Sequence, residues 1–555
     1  MSRLRIGFLI DNKHVDSYVY SLIDEVKKDK LHFYTPLLIS LTSSQPPSSH
    51  FEKILRLLKN KKELSNFFGT LISYFILRLE IKKLTKNPFY EEHGKQKGVD
   101  GLNLEITKIK PIISKSGFVF RLQDKDIRSL KEYDIDLLIR CGGGILRGSI
   151  LSAAKYGVLS FHHGDNRVNR GVPAGFWEVF NGEPSSGFII QKLTETLDGG
   201  EVLFRGNIMT APYWQLNYAN LCKKGNYFML KTLKDLSDNN KLPLSESYIP
   251  YGNKLYRFPE TYIQIQYICK QFIRLIKSKV QSFLNYRTTW SVSYLNHQSL
   301  NKPLFEAKTI KNPHRRFLAD PFLFSHKGKT ICFVEDFFYD ENRGKISAYE
   351  LSNNGYSEIG VILEEDFHLS FPYIFKFEEN IYMCPETNEK NEIRLYKCNN
   401  FPDSWSFYKT IISDVSAADS LIFPFKEKWC LLTNICSSQI GDHNSELHLY
   451  FSDSPTSDEW KPYRNNPVIF DSQKARNGGL FTYRNEIFRV NQIHDKAHYG
   501  RAFGINKILE VDEQGYFEEN VHKVFPNFYK NLNGTHHFSY NESFLVFDHW
   551  KSIKL

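Results

Sequence analysis

The chain has 555 residues, 24% of them charged, and its 72 Lys and Arg against 62 Asp and Glu give a formal net charge of +10. That length exceeds one ordinary core and predicts two or more domains, and plentiful Leu, Ile, Val and Phe exclude disorder. The basic and acidic residues are interspersed, unlike the concentrated patch that nucleic acid selects, so no nucleic-acid partner is expected.

In chain order, "LRIGFLI" and "FYTPLLISL" read as buried strands with the helical "VYSLIDEVKKD" between them. The opening "MSRLRIGFLIDN" is read as a first strand and not a signal segment, because its apolar run is short and early. Residues 51–86 read as helical. A helix "DIRSLKEYD", a strand entering a glycine loop ("IDLLIRCGGGIL"), a helix "GSILSAAKYG" and a strand "VLSFHH" follow. Such alternation predicts a doubly wound, Rossmann-like parallel sheet, whose sites lie at the carboxyl ends of its strands. Both "CGGG" and "HHGD" fall at such ends.

Two helical stretches occupy the next region, "YWQLNYANLCKKGNYFMLKTLKDL" and "TYIQIQYICKQFIRLIKSKVQSFLNY". The second sets Lys270, Arg274, Lys277 and Lys279 beside Ile and Phe. Residues 261–287 are a candidate for peripheral contact with an anionic membrane, against the plainer reading of a helix bracing two domains. No run of about 18 uncharged apolar residues occurs, so no membrane span is expected.

From about residue 303 the pattern changes to short strands and turns. "FLADPFLFSHKGKTICFVED", "LSFPYIFKFEENIYMCPET", "SAADSLIFPFKEKWCLLTN", "NGGLFTYRNEIFRVNQ" and "NGTHHFSYNESFLVFDHW" share a small or acidic opening, a strand, a polar turn and a second strand. Their spacing fits propeller blades, and five units fit the remaining length. The predicted organisation is residues 1–208 as an α/β domain, 209–300 as a helical linker and 301–555 as an all-β five-bladed propeller. The cysteines (Cys141, Cys222, Cys269, Cys332, Cys384, Cys398, Cys430, Cys436) form no CxxC. Reduced thiols, no metal and a cytoplasmic location are expected.

The segment "DLLIRCGGGILRGSILSAAKYGVLSFHHGDNRVNRGVPAGFWEVFNGEPSSGFIIQKLTETLDGGEVL" resembles the catalytic half of the formyltransferase family, which includes methionyl-tRNA and sugar N-formyltransferases. The match is close over about 130–208 and rests on strand–helix order before that. The resemblance implies 10-formyltetrahydrofolate as donor, His162 and Asp198 as catalytic residues, and Cys141, Gly142, Gly143, Gly144, Ile145 and Leu146 as the donor-pocket loop. It assigns His163, Asp165, Asn166, Arg170 and Gly171 to the acceptor side. The family's Asn falls on Ser160 and its usual Pro on His163. An amide oxyanion donor is worth about 2.7–4 kcal/mol of barrier, so Ser160, Asn166 or a backbone amide would have to replace it. The chemistry of His162 also stands on its own. An amine attacks a formyl carbonyl only when neutral, and an imidazole can take the proton it then sheds, with a carboxylate such as Asp198 orienting the ring.

The phrases "FLADPFLF", "CFVED", "YMCPET", "YGRAFGINKILEV" and "GTHHFS" resemble the N-terminal domain of plant glucosamine inositolphosphorylceramide transferase and the propellers of furanosidase-type glycoside hydrolases. Asp320, Glu386 and Asp419 are expected to face the propeller axis, joined by Glu335, Asp336 and His536. Three functional readings follow. In the first, the chain formylates an amino-sugar nucleotide or glycan in cell-surface polysaccharide biosynthesis. In the second, the propeller cleaves glycosides or assists a glycosyltransferase. In the third, the chain is a glycan-binding scaffold.

Overall fold

The structure, a computed structural model, describes residues 2–41, 61–115, 117–168, 170–196, 199–247, 255–296, 303–495, 499–513 and 515–554. The chain divides into two units, Met1–Arg274 and Leu275–Leu555.

The first unit is built on a seven-stranded sheet. Its strands are β1 (Ile6–Ile10), β2 (Leu37–Leu41), β3 (Ile106–Ile109), β4 (Leu137–Cys141), β5 (Val158–His162), β6 (Ser185–Lys192) and β7 (Glu201–Met209), in the spatial order β7-β6-β5-β4-β1-β2-β3. The five strands β5-β4-β1-β2-β3 are parallel, and β6 and β7 add antiparallel pairs at one edge. β1 reads IGFLI with all five residues buried, because a central parallel strand is covered on both faces. One face packs Leu9, Ile39, Leu138 and Val158 against Ile127 and Leu130 of helix α3 (Asp124–Glu132). On the other, Phe188 and Phe204 meet Phe228 of the long helix α5 (Trp214–Asn239). The doubly wound reading therefore holds, with an antiparallel extension that the strand–helix alternation did not announce.

The remaining helices that begin in this unit are α1 (Ser17–Lys28), α2 (Lys61–Leu84), α4 (Phe176–Asn181) and α6 (Thr261–Phe283), the last running on past the unit boundary at Arg274. The helical reading of residues 51–60 lies outside the described residues. "GSILSAAKYG" makes only a 3₁₀ turn at Ser149–Ser152, since Ile150 and Ala154 already reach the core and Gly157, at φ 84°, turns straight into β5.

The second unit is a five-bladed propeller. Blade one is Arg316–His326, Lys329–Phe338, Arg343–Ser352 and Gly355–Leu363, and blade two Ser370–Phe377, Asn380–Glu386, Ile393–Asn400 and Ser404–Ile412. Blade three comprises Ala417–Phe425, Lys428–Ile435, Glu446–Ser452 and Lys461–Pro462, with Ile469–Phe470 also pairing on its third strand. Blade four is Asn477–Tyr483, Glu486–Ile493, Ala502–Val511 and Tyr516–Val524. Blade five joins both ends of the unit. Phe538–Tyr540 and Phe544–Lys554 are completed by Tyr286–Asn296 and Lys308–Thr309. Tyr286 pairs with Lys554 and Asn296 with Phe544, so eleven residues of early chain close the ring. The stretch 209–300 read as a linker is thus shared out: α5 buries Leu221, Phe228, Met229 and Leu233 in the first unit, and Tyr286–Asn296 belongs to blade five.

Candidate functional site

At the rim of the parallel sheet, β4 runs directly into the Cys141–Gly144 loop. Arg140, buried, meets Asp11 Oδ1 at 2.7 Å, and the Gly143 N–H donates to Asp11 Oδ2 at 2.8 Å. A Cβ on Gly142 would stand 2.4 Å from Asp11 Oδ2, so this position needs glycine to let the loop close on the acid. Beside the loop lies a cavity of about 390 Å³ lined by Asp11, His14, Asp16, Tyr18, Gln96 and Cys141, among others. Burial pushes the Cys141 thiol up to about 12, which makes it a packing group and not a nucleophile. Ile145–Leu146 form a two-residue strand beside Val119–Phe120, and Leu146 is buried in the core, so these two support the loop from behind.

β5 ends at His162. Because side chains alternate along a strand, Ser160 and His162 share a face and Phe161 takes the other. His162 is half-buried, and the Ser160 hydroxyl donates to the Phe161 carbonyl at 3.1 Å. Asp198 and Asn169 lie outside the described residues. His163 is packed among aromatic rings, those of Phe161, Tyr18 and Tyr218, at centroid distances of 5.7, 5.6 and 5.8 Å. Burial, aided by the His162 charge, holds its pKa down to about 4.

Asp165 and Asn166 are also structural. Asp165 accepts from the Arg167 N–H and guanidinium, both at 2.9 Å, and from Arg205, which donates to Asn166 Oδ1 at 2.9 Å as well. Burial alone would raise the Asp165 carboxyl, but the Arg167 hydrogen bond and the Arg205 charge outweigh it and leave it below its usual value. Arg167 and Arg205 thus brace Asp165. Arg170–Gly171 pairs in parallel with Leu255–Tyr256. Gly171, at φ 110°, has the Tyr256 carbonyl oxygen 1.8 Å from where a Cβ would sit. Glu178 is buried.

The propeller gathers a second constellation. The innermost strands of blades one, two and three each break register at a bulge whose extra residue is left-handed: Asp320, Phe371 and Asp419, each at φ 49°. The repeated bulge re-aims one side chain per blade. Blade four breaks register between Asn477 and Gly479, just after Arg476. The Arg476 guanidinium donates to Asp419 Oδ2 and lies 3.4 Å from Glu386 Oε2. Gln492 donates to the same Asp419 oxygen at 3.1 Å.

From blade five, Asp548 Oδ1 accepts the backbone N–H groups of His536 and His537, each at 3.0 Å, and Oδ2 stands 2.6 Å from His536 Nδ1. The far ring nitrogen, His536 Nε2, points to Asp320 Oδ1 at 3.6 Å. Trp290 stacks on His536 at 4.0 Å, with Tyr499 edge-on at 5.3 Å.

The charges follow from this burial. Desolvation, joined by Asp419 and Asp548 and opposed by His536, raises Asp320 to about 7. Glu335 and Glu386 are held well above the usual carboxylate range, Glu335 by burial and then the Asp320 and Glu386 charges, Glu386 by burial and then Asp419. Burial would neutralise both His536 and Asp548, but each stabilises the other's charge, so the imidazole is raised and the carboxyl lowered. Asp320, His536 and Asp548 each offer a ligand-type atom within 4.8 Å of the others. Asp548 also accepts the Asp320 N–H at 3.2 Å, so it already serves three backbone donors and the His536 ring, and the buried Asp320 carboxyl faces the far ring nitrogen without a hydrogen bond to it.

Asp336 departs from this group. It alternates to the opposite face from Glu335, accepts from Ser347 Oγ at 2.7 Å and pairs with Arg316 at 3.4 Å, bracing blade one away from the axis acids. Asp320, Glu335, Glu386, Asp419 and His536 do converge. Sequence reasoning missed Arg476, Gln492, Tyr499 and Asp548. Arg476 directly precedes the fourth repeat, and Asp548 closes the fifth in "FDHW", so blade position alone could have flagged those two.

Residues 300–550 match the family described as Glucosamine inositolphosphorylceramide transferase 1, N-terminal. The rice (Oryza sativa subsp. japonica) protein named Glucosamine inositolphosphorylceramide transferase 1 is 32% identical over 210 residues, 37% of this chain and 28% of that protein. Methionyl-tRNA formyltransferase of Clostridium beijerinckii is 23% identical over 245 residues, 43% of this chain and 73% of that one. A family 117 glycoside hydrolase structure from Zobellia galactanivorans aligns at 12% identity and a TM-score of 0.32, covering 47% of this chain and 90% of that one. The chain spans little more than a quarter of the length of the curated relatives it matches first. The chain thus carries a formyltransferase-like domain followed by a propeller similar to the N-terminal region of glucosamine inositolphosphorylceramide transferase 1.

Proposed function

We propose that the chain transfers a formyl group from 10-formyltetrahydrofolate to the amino group of a sugar, carried on a nucleotide or a glycan, while the propeller holds the saccharide. The observation that carries this reading is the position of His162, half-buried at the carboxyl end of β5, on the strand beside the one that ends in the Asp11-locked glycine loop. The cavity at that loop, about 390 Å³ with a tyrosine and exposed backbone, fits the ring portion of such a donor. Asp11 would keep the loop shaped for it. When bound, the donor supplies an electrophilic one-carbon carbonyl. The imidazole of His162 would take the proton shed by the attacking amine and return it to the departing nitrogen. Ser160, on the same strand face, would have to leave the Phe161 carbonyl to donate to the oxyanion.

The test is incubation of the full chain with 10-formyltetrahydrofolate and a panel of amino-sugar nucleotides, followed by mass spectrometry for the formamide. Transfer that vanishes in His162→Ala supports the reading. A chain that neither binds the folate nor formylates any acceptor ends it.

A second reading rests on the axis of the propeller, where burial raises the Asp320 carboxyl to about 7 beside an imidazole. An acid there can donate a proton to a glycosidic oxygen or a hydrogen bond to a sugar hydroxyl. Release of chromogenic glycosides that disappears in Asp320→Asn and Glu386→Gln would favour hydrolysis. Saccharide binding without release would leave the propeller as the holding domain.

A further inference from the structure

In the first unit α2 lies against the first half of α6. Ser73 donates to Gln264 at 2.7 Å, Tyr267 donates to Glu80, and a Cβ on Gly69 would come within 2.9 Å of Thr261 Oγ1. The inward residues Ile76 and Tyr267 join the core around Trp214 and Phe176. What is unusual is the opposite side. On α6 the residues Ile265, Ile268, Phe272, Ile276, Val280 and Phe283 recur every three to four positions, which makes one continuous helix face. Every one is exposed, Phe272 by 62% and Phe283 by 88%. On α2, Leu71, Phe75 and Leu79 stand exposed at intervals of four, Phe75 by 67%. A soluble amphipathic helix turns its apolar stripe inward. These two helices bury one narrow side and offer a second apolar side to the outside.

Charge identifies the occupant. Residues 261–287 contain no Asp or Glu, while Lys270, Arg274, Lys277, Lys279 and Arg287 are all cations. Lys270 and Arg274 reach the carbonyls of Phe180 and Pro212, and Lys277 and Lys279 are exposed on the helix that carries the apolar stripe. Over residues 71–86 of the α2 region the single carboxylate, Glu80, is turned inward to Tyr267 and the Gln215 N–H, leaving Arg78, Lys82, Lys83 and Lys86. No helix among the described residues is long and apolar enough to cross a bilayer. An exposed apolar stripe flanked only by cations is the chemistry of a helix lying in the headgroup boundary of an anionic membrane.

We propose that α6, with the outward side of α2, is a docking surface for an anionic lipid bilayer, with Phe272, Ile276 and Phe283 entering the acyl boundary and Lys277 and Lys279 meeting headgroups. The proposal does not depend on formyl transfer.

The experiment is flotation of the full chain with phosphatidylcholine vesicles, with and without phosphatidylglycerol, beside sedimentation of the chain alone. The expected result is binding to the phosphatidylglycerol vesicles that weakens at high salt and falls about tenfold or more in a Phe272→Glu/Ile276→Glu variant. Those side chains are exposed, so the variant should melt like the wild type. Lys277→Gln/Lys279→Gln should weaken binding to anionic vesicles alone. Four results would overturn the proposal: failure to float with either vesicle, equal binding to neutral vesicles, flotation unchanged in the Glu variant, or a dimer that the Glu variant dissociates without any flotation.

Discussion

The sheet rim and the propeller axis both place functional groups at strand ends, yet they treat charge in opposite ways. At the rim the carboxylates that shape the loops are matched by guanidinium: Asp11 by Arg140, and Asp165 by Arg167 and Arg205. The acids there shape loops, and His162 is left half-buried at the strand end. At the axis Asp320, Glu335, Glu386, Asp419 and Asp548 share Arg476 and His536, so acids outnumber cations and some must hold protons. The first arrangement suits a proton acceptor in contact with solvent. The second suits neutral carboxyl groups that donate hydrogen bonds to sugar hydroxyls or to a leaving oxygen.

The sharpest break in that comparison is His162→Ala. If the rim is the chemical site, formyl transfer falls by about 100- to 10,000-fold, the span of general acid–base catalysis, with the melting temperature unchanged. Single-turnover rates measured with saturating donor check this, and an unaltered rate removes His162 from the reaction.

Next in size is the hub of the axis. Asp548→Ala strands three backbone N–H groups, of Asp320, His536 and His537, and the His536 imidazole in a buried site, which should cost about 3–5 kcal/mol of propeller stability. Asp548→Asn keeps an acceptor oxygen and should cost less. Urea unfolding followed by tryptophan fluorescence reads both, because Trp290 stacks on His536. Equal costs for the two variants would mean that the charge of Asp548, and not its hydrogen bonding, holds the ring.

Asp320 and Asp165 should also answer pH with opposite signs. Asp320 is raised to about 7, so the folded propeller binds its proton more tightly than the unfolded chain does. Its contribution to stability is complete below pH 4 and is lost as pH rises through 7. Asp165 is lowered, so its contribution is present above pH 4 and lost as pH falls further. Hydrogen exchange resolved by region checks this, and Asp320→Asn should flatten the propeller's slope between pH 4 and 7 while leaving the rim as it was.

The sequence was most legible where a pattern repeats. Uninterrupted apolar runs and glycine-terminated strands marked the parallel sheet, and five recurring strand pairs marked five blades. It was least legible where a partner comes from far away in the chain. Blade five takes Tyr286–Asn296 from before the repeats, and strand texture says nothing about which distant strand will close a ring. For the sites, repeat position put Asp320 and Asp419 at the axis, because the same bulge recurs in successive blades. Asp336 failed for a local reason: it neighbours Glu335, and along a strand only one of two neighbours can face inward. Asp165 failed because its partner Arg205 lies forty residues on, in β7.

The smallest effect tests the rim at its other histidine. His163 follows His162 directly, and a formyltransferase reading puts both at the acceptor. Packing says otherwise: three aromatic rings enclose His163, and its pKa of about 4 keeps it neutral across the working range. Replacement by Phe conserves shape in an apolar cage and should cost less than about 1.5 kcal/mol, with turnover unaltered at neutral pH. One difference should appear on the acid side. A histidine depressed in the fold contributes stability above pH 6.5 that is lost as pH falls, because the unfolded chain takes the proton first. His163→Phe removes that loss, so the variant should gain on the wild type between pH 6.5 and 4. A fall in turnover with no such gain would move His163 from the core into the acceptor site.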